Sequence, residues 1–402
     1  MKSVVFVTFA YEESGGTIPV INNLIKHYES KSYKNTVIVI TEAADPSIYN
    51  EDPSIKRIYL NTPIDFNLLR TLHRYQKLLN ELNPDRIFFI LGHPFIAFLS
   101  NLTPIKYQNV GILYYMDPWF TFSNLKEEVR KPVQDFIQIR DSIINKKPKS
   151  VYNIFTKTKL LDSMISTDVN TKELYDNILG ILVCSEDVKD YFSSLSQRKD
   201  IVLMDHLYLK EFPKTDESLW LSSEKPTFIY TGRVTSSWKG FGVVLKALQS
   251  IDFDYVLKLF LWDDVEADVA KELFNKYHLP ISKLKTYSKS RTLDFLNPMA
   301  QATAVLIPSI GEGFSYTMLE SMSVGGTTVV GPIYGGPKDV IKDGINVFRF
   351  KPGDGEDLSE VLKNIIIYDK NSLIKIKKNA VESAKQFTFK KYIDKIETKF
   401  PL

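Results

Sequence analysis

Two glutamates and two cations in the second half of the chain have the types and spacing to grip a ligand that carries both phosphate and hydroxyl groups. Glu312 and Glu320 stand eight residues apart in the stretch Pro308-Ser309-Ile310-Gly311-Glu312-Gly313-Phe314-Ser315-Tyr316-Thr317-Met318-Leu319-Glu320. Ser315 is placed to cap a helix whose apolar stripe is Met318, Leu319 and Met322, and which Gly325 can end. The free N–H groups of that helix's first turn would face the glycine-bearing loop, where an anion or a ring hydroxyl can sit. Arg233 and Lys239 flank an earlier loop and supply a guanidinium fork and an ammonium point charge, the usual pair for a diphosphate. A sugar nucleotide meets both demands. In isolation each segment also fits plain surface, as two solvated glutamates around a strand–turn–helix unit and two solvated cations in a loop.

These side chains need a scaffold that delivers loops to one rim, and the apolar runs supply it. Ala304 to Ile307 reads as a buried strand before the acidic stretch, and Thr227 to Tyr230 as one before the cationic loop. In both halves such runs alternate with amphipathic helical segments, which predicts two parallel, doubly wound sheets with ligands at the carboxyl ends of the strands. In the first half Gly15-Gly16, His93 and Asp117 all fall at predicted carboxyl ends. Neither the dinucleotide fingerprint G-x-G-x-x-G nor the P-loop G-x-x-x-x-G-K-[ST] is present, so Gly15-Gly16 would let the backbone approach a ligand or relieve a tight turn. The polar stretch from Glu211 to Pro226 marks the crossing between domains. The expected division is 1–210, with a helical insertion at about 120–177, then 211–385, with 386–402 returning to the first domain.

Composition narrows the function classes. A chain of 402 residues with 44% apolar and 25% charged residues is long enough for two full cores and is globular in character. A net charge of +3 is too mild to argue for nucleic acid. The single cysteine, Cys184, excludes an internal disulfide framework and fits a reducing compartment, and the five histidines show no metal-ligand spacing. Asp252-Phe253-Asp254 has the D-x-D form of some metal sites but precedes a predicted strand, away from the carboxyl-end rim. The apolar run Val4 to Ala10 is too short for a signal-peptide core with its cleavage site, and no run reaches the roughly 20 apolar residues of a membrane span. The insertion is rich in lysine and arginine, diluted by Glu127, Glu128, Asp135 and Asp141. Its surface suits an anionic acceptor, a membrane face, or simple solvation.

The order of the motifs resembles a GT-B glycosyltransferase of the family 4 type, which are retaining enzymes. Gly232-Arg233 with Lys239-Gly240, Pro308-Ser309, Glu312-Gly313-Phe314 and Leu319-Glu320-Ser321-Met322 follow that family's pattern in sequence, and Pro337, Asp343-Gly344 and Asn346 continue it. The short Cys184-Ser185-Glu186 resembles the motif that ends the family's first domain, whereas Met204-Asp205-His206 departs from its usual Asn-Gly-Val-Asp. The resemblance implies two Rossmann-like domains facing a cleft. It implies donor diphosphate bound by Arg233 and Lys239, ribose by Glu320, and the transferred sugar by Glu312. The backbone of Gly313, Phe314 and Ser315 would touch sugar and phosphate, and the base would lie by Lys285, Thr286, Tyr287 and Ser288. Gly15 and Gly16 would approach from the first domain. Asp117 stands near where many relatives carry a sugar-contacting histidine, with His93 as the second candidate.

The implied activity is transfer of a hexose or N-acetylhexosamine from a nucleotide sugar, foremost a UDP-sugar, to a glycan, lipid-linked or protein acceptor. It requires no metal or other cofactor, and it fits polysaccharide biosynthesis in the cytoplasm or at the inner membrane face. The alternative is a non-catalytic GT-B subunit that binds acceptor or stabilises a partner glycosyltransferase.

Overall fold

The computed structural model describes residues 1–8, 17–40, 55–60, 68–90, 94–113, 127–144, 177–187, 189–190, 193, 201–203, 212–261, 263–288, 292–331 and 337–402. They form two compact units, each built on one all-parallel sheet. The first sheet comprises β1 (Ser3–Thr8), β2 (Lys34–Val39), β3 (Arg57–Tyr59), β4 (Arg86–Ile90), β5 (Asn109–Leu113), β6 (Gly180–Val183) and β7 (Ile201–Leu203) in the order β3-β2-β1-β4-β5-β6-β7. Helices α1 (Thr17–Ser30), α2 (Leu68–Leu82) and α3 (Pro94–Leu102) alternate with these strands. The near-continuous Val, Ile and Phe content of β1 and β4 is that of strands covered on both faces, and Val4 to Val7 and Arg86 to Ile90 are all buried.

Arg86 is the exception in that run. Its fully buried guanidinium donates to the Tyr28 hydroxyl and to Gln108 Oε1, both at 3.2 Å, and to the Phe400 carbonyl. The last of these ties the end of α12 (Phe389–Lys399) into the first unit, to which that helix belongs.

The second sheet comprises β8 (Thr227–Thr231), β9 (Val256–Phe260), β10 (Leu284–Tyr287), β11 (Ala304–Ile307), β12 (Thr328–Val330) and β13 (Phe348–Arg349) in the order β10-β9-β8-β11-β12-β13, with the short helix α9 (Pro337–Val340) between β12 and β13 in sequence. Successive strand residues point to opposite faces. Phe228, Tyr230, Leu257, Leu259 and Leu306 join one core with α5 (Phe241–Gln249), α6 (Asp264–Lys276) and α10 (Gly355–Ile366). Ile229, Phe260 and Val305 join the other, with Trp220 and α7 (Thr292–Gln301). A further helix, α4 (Glu127–Ile144), lies in the first half of the sequence but packs Phe136 and Ile143 into the core of this second unit. The sequence places this segment within the first domain. Its packing differs because its apolar face finds α5 and α6.

A buried lysine fixes one corner of the second unit. Lys377, on α11 (Lys370–Ala384), is fully buried and donates to the Gly325 carbonyl at 2.8 Å and to the Ala300 carbonyl at 3.5 Å. Gly325, at φ +69°, follows α8 (Tyr316–Ser323), so the ammonium sits at that helix's carboxyl end. Burial pulls the Lys377 pKa down to about 7. The unfolded chain therefore binds one more proton than the folded one between about pH 7 and the ordinary lysine value of 10.5. Stability is expected to rise with pH across that window, by up to about tenfold in the unfolding constant per pH unit, and to be flat with respect to this group below pH 7. Urea denaturation from pH 6.5 to pH 9.5 should show this slope, and Lys377→Met should flatten it.

Candidate functional site

In the second sheet the strand order reverses direction between β8 and β11, and the crevice outside the carboxyl ends of such a pair is where open α/β sheets hold ligands. β8 and β11 pair in register, Phe228 with Ala304 and Tyr230 with Leu306. The loop after β8 therefore meets the loop after β11, although they are 73 residues apart in sequence. The first carries Arg233 and Lys239, the second Glu312.

Their side chains touch. Lys239 Nζ donates to Glu312 Oε1 at 2.8 Å and to Oε2 at 2.9 Å, and the Ser309 hydroxyl donates to Oε1 at 2.6 Å. Glu312 keeps only 9% of its side-chain surface, whereas Lys239 keeps 39%. The carboxylate is thus held inside the crevice while the ammonium reaches solvent. Arg233, on the same loop, is exposed.

Backbone fit makes this juxtaposition rigid. The Trp238 carbonyl accepts from the Ile310 amide at 3.0 Å. Gly240, at φ +67°, brings its Cα against Pro308, where an added Cβ would lie 2.0 Å from the Pro308 carbonyl oxygen. The Tyr230 hydroxyl lies 3.2 Å from the Arg233 carbonyl and 3.4 Å from the Lys239 carbonyl, so its one proton serves both ends of the cationic loop. Burial, with added repulsion from Glu266 and Glu312, raises the Tyr230 pKa well above the ordinary value and keeps it a neutral donor. Thr231 Oγ1 and Thr317 Oγ1, 2.9 Å apart, make a further bridge between the two segments.

The helix after the acidic loop begins as its sequence predicts. Ser315 Oγ accepts from the Met318 amide at 3.3 Å, and the capped helix α8 buries Met318, Leu319 and Met322. Glu320 lies on α8, 8% exposed, in the same loop–helix unit as Glu312. Gly313, Phe314 and Ser315 join the two, with Phe314 and Ser315 buried. Thr286 and Tyr287 end β10, two strands away from β8, where the Tyr287 ring stacks on Phe260 at 4.9 Å and keeps 41% of its surface exposed. Gly15, Gly16, His93 and Asp117 lie outside the described residues.

Sequence reasoning names Ser309 in the motif without a role, and it misses Tyr230 and Glu266 as parts of this site. A tyrosine in a largely apolar strand (Tyr230) and an acid at the start of α6 (Glu266) look unremarkable until the fold places them beside the loop. Glu266 is 5% exposed, and its carboxylate accepts from the Thr235 amide at 3.0 Å and from the Thr235 hydroxyl.

The chain and its fold have counterparts among known proteins. Residues 211–386, in the second unit, match the family model described as Glycosyl transferases group 1. A sucrose synthase of Melioribacter roseus is 24% identical over 235 residues, which span 48% of this chain and 29% of that protein. The chain thus covers less than a third of that curated relative. Among solved structures, a sucrose-phosphate synthase from Thermosynechococcus elongatus aligns over 99% of this chain and 98% of its own with a TM-score of 0.72 at 13% identity. Anabaena HepE, solved in complex with UDP and glucose, aligns over 100% of both chains with a TM-score of 0.69 at 16% identity. The fold is GT-B, two Rossmann-like units with parallel sheets.

Proposed function

We propose that the chain is a retaining glycosyltransferase of the family 4 type that moves a hexose or N-acetylhexosamine from a UDP-sugar to a glycan, lipid-linked or protein acceptor. The observation that carries this reading is the contact of Lys239 with the buried carboxylate of Glu312 at the reversal point of the second sheet, with Arg233 on the same loop. A cation pair at one edge of the crevice and a fixed carboxylate beside it suit a diphosphate joined to a hydroxyl-rich ring. HepE, of the same fold, binds UDP and glucose.

On this reading the ground state and the loaded state share one set of groups. Lys239, the more exposed partner, turns its ammonium toward the arriving diphosphate and joins Arg233. Glu312 stays in place because Ser309 still donates to Oε1, which leaves Oε2 to accept a hydroxyl of the sugar. Positive charge at the leaving diphosphate stabilises the charge that develops as the glycosidic bond breaks, so the reading requires no metal. The acceptor hydroxyl then attacks from the face the diphosphate leaves, and the departing phosphate takes its proton. Glu320 accepts from the ribose, and Tyr287 with Thr286 borders the base.

A thermal-shift screen against UDP-, GDP- and ADP-sugars, followed by donor hydrolysis, tests the proposal. A UDP-sugar should raise the melting temperature and turn over slowly, and Glu312→Ala should abolish turnover. Absence of both binding and turnover across the panel overturns it, and co-purification with a second transferase would then favour the non-catalytic subunit. Among the described residues no helix is long and apolar enough to cross a membrane, and action in the cytoplasm or at the inner membrane face is part of the proposal.

A further inference from the structure

The cationic loop is tied at its ends by Tyr230, and its middle is gripped at Thr235 by two charged side chains from different helices. Thr235 is 5% exposed, and all three of its polar groups are taken. Its amide and hydroxyl donate to the two carboxylate oxygens of Glu266 on α6. Its carbonyl accepts from Arg140 Nη1 on α4 at 3.0 Å. Arg140 is itself oriented, since Asp141 Oδ1 accepts from its Nε at 2.9 Å and from its Nη2 at 2.6 Å. That leaves Nη1 aimed at the loop.

The helix that brings Arg140 is seated with little slack. Phe136, one turn earlier on α4, lies so close to α5 that a Cβ on Gly242 would stand 2.5 Å from its ring. A buried carboxylate is a costly way to satisfy one threonine, because its desolvation must be offset by good hydrogen bonds. Burial raises the Glu266 pKa, while the Thr235 bonds and the nearby charge of Arg233 hold it down. The Arg233 charge thus favours the ionised form of the same carboxylate that fixes the loop between it and Lys239.

We propose that Arg140 and Glu266 are positioning residues which, by holding Thr235 from opposite sides, set the separation and direction of Arg233 and Lys239 for a nucleoside diphosphate. The inference rests on the donor reading above. It gives α4, part of the basic insertion in the first half of the sequence, a role inside the second unit as a brace for the diphosphate loop.

The test measures UDP affinity by calorimetry for the wild type, Arg140→Ala, Arg140→Lys and Thr235→Val. Arg140→Ala is then repeated in an Arg233→Ala, Lys239→Ala background. Hydrogen exchange across residues 233–239 is followed in each protein. Arg140→Ala is expected to raise the Kd for UDP by about tenfold, the scale of one lost hydrogen bond from a charged group. Arg140→Lys, which can still donate to the Thr235 carbonyl, should recover much of that loss, and exchange should quicken in 233–239. In the background without the two cations the Arg140→Ala effect should vanish, because there is no longer anything to position.

An equal weakening in both backgrounds would mean general loosening and would overturn the inference. So would unchanged affinity and exchange in Arg140→Ala and Thr235→Val. Should the wild type bind no nucleoside diphosphate, the donor reading fails, and exchange alone decides the brace. Faster exchange confined to 233–239 in Arg140→Ala supports it, and unchanged exchange removes it. Thr235→Val keeps the question decidable if Arg140→Ala does not fold.

Discussion

On the proposed function, Glu312→Gln is expected to slow sugar transfer, or donor hydrolysis without acceptor, by about 10²- to 10³-fold while the protein stays folded. The glutamine keeps the shape and one oxygen to accept from Ser309, but it loses the charge that gathers Lys239 and leaves a weaker acceptor for a sugar hydroxyl. Lys239→Ala should also be strongly impaired, yet the two variants should differ in stability. Removing Lys239 strands a carboxylate that is 9% exposed with Ser309 as its remaining donor, which costs roughly 2–3 kcal/mol. Removing the carboxylate charge leaves an ammonium that is 39% exposed and can return to water, at a cost of roughly 1 kcal/mol or less. Steady-state kinetics and urea denaturation of both variants check the two halves of this expectation. Near-wild-type turnover in Glu312→Gln would remove Glu312 from the chemistry.

Gly240→Ala is expected to be severely damaging to the second unit. Two penalties coincide there. At φ +67° a Cβ costs about 1 kcal/mol in backbone strain. The same Cβ would also stand 2.0 Å from the Pro308 carbonyl oxygen, which is backbone and cannot swing aside like a side chain. Pro308 precedes the Ser309–Glu312 hydrogen bond, so relief of the clash must pull the acidic loop away from the cationic one. A loss of roughly 3 kcal/mol or more follows, with activity falling further because the two loops are forced apart.

Gly344 carries the first penalty alone. It has φ +64°, but an added Cβ would meet nothing within 4 Å. Gly344→Ala should cost only the strain, about 1 kcal/mol, with unchanged kinetics. Equal losses in the two variants would show that close approach at Gly240 is unimportant.

The alternation of apolar runs and amphipathic segments was enough to predict parallel doubly wound units, because strands covered on both faces must be apolar almost throughout and their crossovers must be helical. Local chemistry was equally readable. Ser315 caps α8 as its position requires, since helix starts depend on near neighbours, and type and spacing single out Arg233, Lys239, Glu312 and Glu320 as candidates.

Tertiary structure alone decided what lies beside what. Sequence spacing does not state that β11 pairs with β8, and this pairing turns two loops 73 residues apart into one crevice with Lys239 on Glu312. Nor does it state that α4, from the first half of the sequence, packs on α5 and α6, where Arg140 reaches Thr235. Both outcomes depend on burying apolar faces against whichever element fits them. That choice is made by the whole core and is written in no single segment.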